Sequence, residues 1–351
     1  MNTALQVFLD KFQEEVMQGQ IQKAASPLLT TSMNSASLRR ELADRFINLV
    51  VDESVLIKDM ARLHRTQAPS GDITKLNISG YVTRGISENT AGTETRKPSD
   101  SVLTFTTTKL QSILDVTGEW LEDNVEGQSG RGTVLDAFFR AIANDWETLA
   151  IEGDSTAAGA TDYAALVSAN DGWHVLTASG TGAHIVDAGG MRASYQLLSN
   201  MLRAMPTKYK GPGPMSNNNT GLRWLVSWGS LQSMVDEQAS RSTVYGDLMR
   251  QMGNGQMPTM LGIPLIVVPK IPENLTLTGT SGTTGSFIWL IDPKNLIMVV
   301  QREMKVEWER VPRSDHDELT IHMRVDFLVE NTDAVVKATD LGVHQSLTLY
   351  A

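Results

Sequence analysis

The densest group of groups able to bind a metal is SDHDE, residues 314–318, with His322 nearby. Its carboxylates suit a hard cation, and His316 would add a nitrogen ligand. The spacing matches no metal motif, and the segment falls between two alternating stretches. A solvated turn is therefore the favoured reading, with His322 on the solvent face of a strand. GQSGRGTV (127–134) approaches a phosphate loop, but Thr133 stands where the lysine must be, so β- and γ-phosphates would not be held. A turn into a capped helix explains it better. GTGAHI (180–185) lacks the third glycine of a dinucleotide fingerprint and follows no clear strand. The histidines at 64, 174, 184, 316, 322 and 344 are scattered, and neither GxSxG nor HExxH occurs. There is no cysteine, which excludes disulfides, thiolate nucleophiles and cysteine-based zinc sites. No catalytic, cofactor-binding or metal residue is assigned, and the chain is expected not to be an enzyme.

Composition narrows the class further. A chain of 351 residues, 41% apolar and 20% charged, is expected to fold into about two compact units. No run of about 18 uncharged apolar residues suggests a membrane span. The N-terminus carries Asp10, Glu14 and Glu15 and does not resemble a signal peptide. A net charge of −10 argues against a free-standing nucleic-acid binder. The acids are concentrated: residues 115–154 hold ten, against Arg131 and Arg140 alone.

The elements follow from periodicity. Leu5, Phe8, Phe12 and Val16 form a helical stripe over 3–18, and a second helix is expected over about 38–51. From about 54 to 112 short alternating stretches, TKLNISGYVTR and SVLTFTTTKLQ, flank a polar segment and predict a long β-hairpin. Such a ribbon is marginal alone, so it should lie on something else, another subunit included. Leu135, Phe138, Phe139, Ile142, Trp146 and Leu149 mark the clearest helix, with Thr133 and Asp136 placed as a capping box and Gly153 as its stop. Its polar face would carry Asp136, Arg140, Asp145 and Glu147. Further helices are expected over about 190–204 and 230–237. EMKVEWER and TIHMRVDFLVEN alternate strictly and predict long half-buried strands. In LGIPLIVVPKIPEN (261–274), Leu265 to Val268 read as a short edge strand fenced by Pro264 and Pro269. The fold class is α+β.

The order of these elements resembles the major capsid proteins of tailed double-stranded DNA bacteriophages, the Hong Kong 97 type of shell protein. VTGEWLEDN (116–124) resembles the return of that family's hairpin, FFRAIANDWETLAIEGD its spine helix, and MLGIPLIVVPKIPEN its small-domain strand. The likeness spans nearly the whole chain. It implies an N-terminal arm (1–53), an E-loop hairpin (54–112), a P-domain with spine helix (113–189), an A-domain (190–295) and P-domain strands with the C-terminal segment (296–351).

The resemblance also implies a function and partners. Copies of the chain would form pentamers and hexamers of an icosahedral head enclosing DNA, without sequence-specific binding and without cofactors. A separate scaffolding protein and a portal would be needed, a decoration protein would be optional, and no membrane is involved. Assembly would take place in the host bacterial cytoplasm. Arg84, Glu88, Glu94, Arg96, Lys97 and Asp100 at the hairpin tip balance three charges of each sign, which suits contact with a neighbouring subunit. Asp136, Asp145 and Glu147 would form an acidic face towards the interior, repelling packaged DNA within about 8 Å of the wall. An encapsulin-type compartment of the same fold, enclosing an enzyme cargo, is the alternative.

Overall fold

The structure, a computed structural model, describes residues 56–59, 61–77, 83, 99–117, 130–178, 184–210, 221–240, 259–277, 284–301, 305–313 and 315–344. The two helices expected before residue 52 lie outside them. In chain order the elements are α1 (Leu56–Asp59), β1 (Arg62–Thr66), β2 (Ser70–Asn77), β3 (Ser99–Thr106), β4 (Thr108–Thr117) and α2 (Gly130–Glu152). Next come α3 (Asp162–Val167), α4 (Trp173–Leu176), β5 (His184–Asp187), α5 (Tyr195–Ala204), α6 (Thr207–Lys210), β6 (Arg223–Val226) and α7 (Trp228–Ser240). The remainder is β7 (Thr259–Met260), β8 (Ile263–Val267), β9 (Leu275–Thr276), β10 (Thr284–Ile291), β11 (Leu296–Gln301), β12 (Lys305–Val311), β13 (His316–Val329) and β14 (Val335–His344).

The first sheet is organised by β13. Leu319, Ile321, Met323, Val325 and Phe327 project inward and are buried, as the alternation predicts. β4 pairs antiparallel along one edge, from Thr117 opposite His316 to Thr108 opposite Val325. β11 and β12 follow one another along β13, β11 opposite Val325 to Val329 and β12 opposite His316 to His322. β1 joins parallel to β11. Within the span 54–112, β2 and β3 form the ribbon, whereas β1 and β4 belong to the first sheet.

The second sheet runs β5-β14-β10-β6-β8-β7, with β9 beside β10. Both of its faces are covered. Phe287, Trp289 and Ile291 of β10 enter the principal cluster with α2 and β13, while Ile288 and Leu290 enter a second cluster with Leu198 and Met201 of α5. A strand buried on both faces has no reason to alternate, which explains its continuous apolar run. β8 and the residue after it obey the same rule: Leu265 packs in the second cluster, and Ile266 and Val268 in the principal one. β8 is not an edge strand, since β6 pairs on one side and the two-residue β7 on the other. Pro264 stands opposite Thr259 of β7, one residue before the β6 ladder begins at Leu265.

The long helix α2 buries Leu135, Phe139, Ile142, Trp146 and Leu149. It begins at Gly130, which puts Thr133 inside the helix and not at its N-cap as the capping box required. The helix ends at Glu152, and Gly153 just after it is required for a steric reason rather than a left-handed one. A Cβ there would lie 2.4 Å from the Asn170 carbonyl oxygen and 2.7 Å from the Gly172 nitrogen. The Gly172 N–H donates to the Gly153 carbonyl at 2.8 Å, locking the two strands of chain together. α5 starts after Ser194, whose side chain accepts from the Leu197 N–H. Met191, expected in this helix, instead precedes it and is exposed. Gly189 and Gly190 just before it take left-handed backbone angles, and the Met191 carbonyl accepts from the Gly342 N–H. α7 covers the helix expected over 230–237 and extends it at both ends.

Candidate functional site

The ribbon is a candidate surface for a partner. Its root lies on the outer face of the first sheet, where Phe105 packs with Ile297, Val299 and Leu328, supported by Ile73 and Leu103. Gly71 lies directly opposite Phe105, and a Cβ there would come within 2.8 Å of the ring. The Asp326 carboxylate fastens the root by accepting from the Thr106 N–H at 2.8 Å, the Asn170 side-chain amide at 2.8 Å and the Phe327 N–H at 2.9 Å. Burial raises the Asp326 carboxyl above its ordinary range, against these hydrogen bonds, which favour the charged form. Thr107, the single residue between β3 and β4, hydrogen-bonds the Pro69 carbonyl through both its N–H and its hydroxyl, at 2.8 Å each. Arg62 pairs with Glu330 at 2.6 Å, and Lys75 of the ribbon donates to the Glu330 carbonyl. A groove of about 420 Å³ between β1 and β2 is floored by these groups together with Ile297.

Among the described residues nothing gives the other face of the ribbon such cover. Leu76 is 72% exposed and Val102 55% exposed, two register positions apart on that face. Asp100 stands opposite Leu76 and is exposed. Arg84, Glu88, Glu94, Arg96 and Lys97 lie outside the described residues.

The acidic stretch separates into distinct roles. Asp136 lies within α2, and its side chain is outside what the structure describes. Asp145 is on the exposed side of α2. Partial burial raises its carboxyl, and Lys270 acts in the opposite direction. Glu147 is not on that polar face: it is 3% exposed, and its Oε1 accepts from the Leu56 N–H at 2.9 Å. Leu56 opens α1, so Glu147 satisfies one of that helix's orphan amide donors from across the fold. Glu152 accepts from the Tyr163 hydroxyl, whose pKa is pushed up to about 12 by burial and then by Glu152 itself. Asp154 holds Thr156 and is lowered by those hydrogen bonds. Much of the acidity here is therefore architectural.

The strand pairing divides SDHDE. Asp315, at φ 47°, makes the turn and pairs with Arg310 at 3.0 Å, and Asp317 is buried. His316 and Glu318 face outward, where Asp115 of β4 joins them, the ligand atoms of all three lying within 4.8 Å. Among the described residues these three could hold a cation. Asp115 was invisible as a partner in the sequence because only the β4–β13 register brings it there. His322 lies on the same outer face, opposite Gln111 and Lys305. The histidines remain dispersed, with His64 edge-on to Phe105 and His174 buried beside Lys337.

Comparison with known proteins agrees with this architecture. Residues 36–340 match the model of the phage capsid family. A curated Bacillus subtilis (strain 168) protein, YqbE, whose name describes it as a prophage capsid protein, is 25% identical over 315 residues, covering 89% of this chain and 95% of the relative. The fold is similar to a subunit of the satellite phage P4 procapsid that includes the size determination protein, with TM-score 0.57 and 11% identity over 86% of this chain and 99% of that one. It is also similar to the capsid of a native GTA particle, with TM-score 0.53 and 16% identity over 84% and 91% of the two chains. The chain belongs to the phage capsid family, and its fold is that of the Hong Kong 97 type shell proteins.

Proposed function

We propose that this structural protein builds the pentamers and hexamers of an icosahedral phage head that encloses double-stranded DNA. The observation that carries this reading is the half-covered ribbon. One face is rooted on its own sheet by Phe105 and Asp326, and the other presents Leu76 and Val102 to solvent. A two-stranded ribbon is marginal in water, and a neighbouring copy lying over the second face would bury that apolar pair. In this reading residues 1–53 are an arm, 54–112 the E-loop, 113–189 and 296–351 the P-domain, and 190–295 the A-domain. The tip charges Arg84, Glu88, Glu94, Arg96, Lys97 and Asp100 set register against the neighbour. Asp136 and Asp145 face the interior, and DNA is held without sequence-specific contacts. A separate scaffolding protein and a portal complete the assembly in the host cytoplasm, with a decoration protein optional.

Negative-stain microscopy of the expressed full-length chain, with and without a co-expressed scaffold, combined with nuclease protection, tests the proposal. DNA-filled or scaffold-dependent icosahedra are expected. Protein-filled cages would overturn it in favour of a compartment for an enzyme cargo, and small soluble species under all conditions would overturn it outright.

A further inference from the structure

Lys337 lies on β14 opposite Trp289 of β10 and beside Ile185 of β5, and it is 1% exposed. Its Nζ donates to the His174 carbonyl of α4 at 2.9 Å and sits 3.4 Å from His174 Nε2. The Phe287 ring centroid is 5.2 Å away, and that ring packs against His174 at 4.4 Å and Trp289 at 4.6 Å. Thr177 closes the pocket, donating to the Trp173 carbonyl and accepting from Trp289 Nε1.

A buried ammonium ordinarily requires a paired carboxylate, because removing an isolated charge from water is expensive. Among the described residues none pairs with Lys337. α4 presents only His174, whose Nδ1 is buried without a partner. Asp154, in the turn after α2, acts on His174 and does not contact the lysine. β10 presents Phe287 and Trp289. On β5, Asp187 stands opposite Thr339, is exposed and accepts from the Gly189 N–H, and His184 stands opposite Val336.

We propose that Lys337 is a proton-controlled fastener between α4 and the second sheet. With the amine neutral, α4 lies tight against β14 and β10. When the amine takes up a proton, one carbonyl and one ring nitrogen solvate it poorly, and the seam opens to admit water.

Burial holds the Lys337 amine down at about 7, and burial with the neighbouring lysine holds His174 at about 3. His174 thus stays neutral throughout the relevant range. An opened seam returns Lys337 towards the ordinary lysine value of about 10.4. The open state binds more protons between these two values, so opening is favoured as pH falls from 10 towards 7 and levels off below, where the closed state is protonated too.

Hydrogen exchange of the full-length chain read by mass spectrometry, corrected for intrinsic rates, tests this. The opening constant of peptides spanning 171–178 and 335–340 should rise by about tenfold between pH 8.5 and 7, while 319–327 stays flat. Lys337→Met should abolish the dependence, and Lys337→Gln serves if that variant does not fold. A dependence that survives both substitutions overturns the proposal, as does one absent from wild type or spread evenly over 319–327.

Discussion

The Asp326 carboxylate and the Thr106 N–H meet at 2.8 Å, joining the inner strand of the first sheet to the last residue of the ribbon. Asp326→Ala removes the acceptor for Thr106, Asn170 and Phe327 together and should destabilise the chain by about 1–3 kcal/mol. Limited proteolysis should show the ribbon cut first. Because the folded carboxyl is raised, folded protein keeps a proton that unfolded chain has lost, and stability falls as pH climbs from the ordinary carboxylate value through the raised one. Urea midpoints for Asp326→Asn should lose that slope, and an unchanged slope would contradict the assignment.

Glu147 offers a second test within α2. Glu147→Ala leaves the buried Leu56 N–H without its acceptor and should cost about 1–3 kcal/mol in urea unfolding, whereas Glu147→Gln should cost less. If Glu147 were merely a solvated acid, both substitutions would be close to neutral.

Gly153→Ala puts a methyl group into backbone atoms of Asn170, Leu149 and Gly172 that cannot swing aside. The expected loss is about 1–3 kcal/mol, against the gain of a few tenths that Gly→Ala gives where backbone and space permit. A thermal midpoint equal to wild type would show that this crossing yields.

The two proposed surfaces, the ribbon tip and the acidic side of α2, are separable by charge reversal. Arg96→Glu with Lys97→Glu should leave folded subunits, by circular dichroism, that fail to form regular particles. Lys at Asp136 and Asp145 should leave particles intact but raise the 260-to-280 nm absorbance ratio of empty shells through retained nucleic acid. Normal particles from the first pair, or an unchanged ratio from the second, would remove the corresponding role.

The parts of the fold legible in the sequence are those where one segment carries its own period. β13 announces itself through Ile321, Met323, Val325 and Phe327, and α2 through Phe139, Ile142 and Trp146, since each pattern reports one buried face. β8 misled because its uniform apolarity reflects two buried faces, a property of its neighbours rather than of the strand itself. Glu147 looked like a surface acid because helical spacing cannot show that α1 docks against it. The Asp115–His316–Glu318 group and the Lys337 pocket depend on register between distant strands, which no local spacing encodes.

Thr107 alone separates two strands that belong to different sheets. Eight residues of ribbon extend from that point, a lever of about 26 Å at the usual rise per residue. A turn of only 10° at its fulcrum would carry the far end roughly 5 Å, about the spacing between neighbouring strands. The buried threonine hydroxyl on the Pro69 carbonyl, with the Asp326 and Lys75 contacts, therefore sets where the distant end arrives, and a small loss of aim there becomes a whole strand's misplacement.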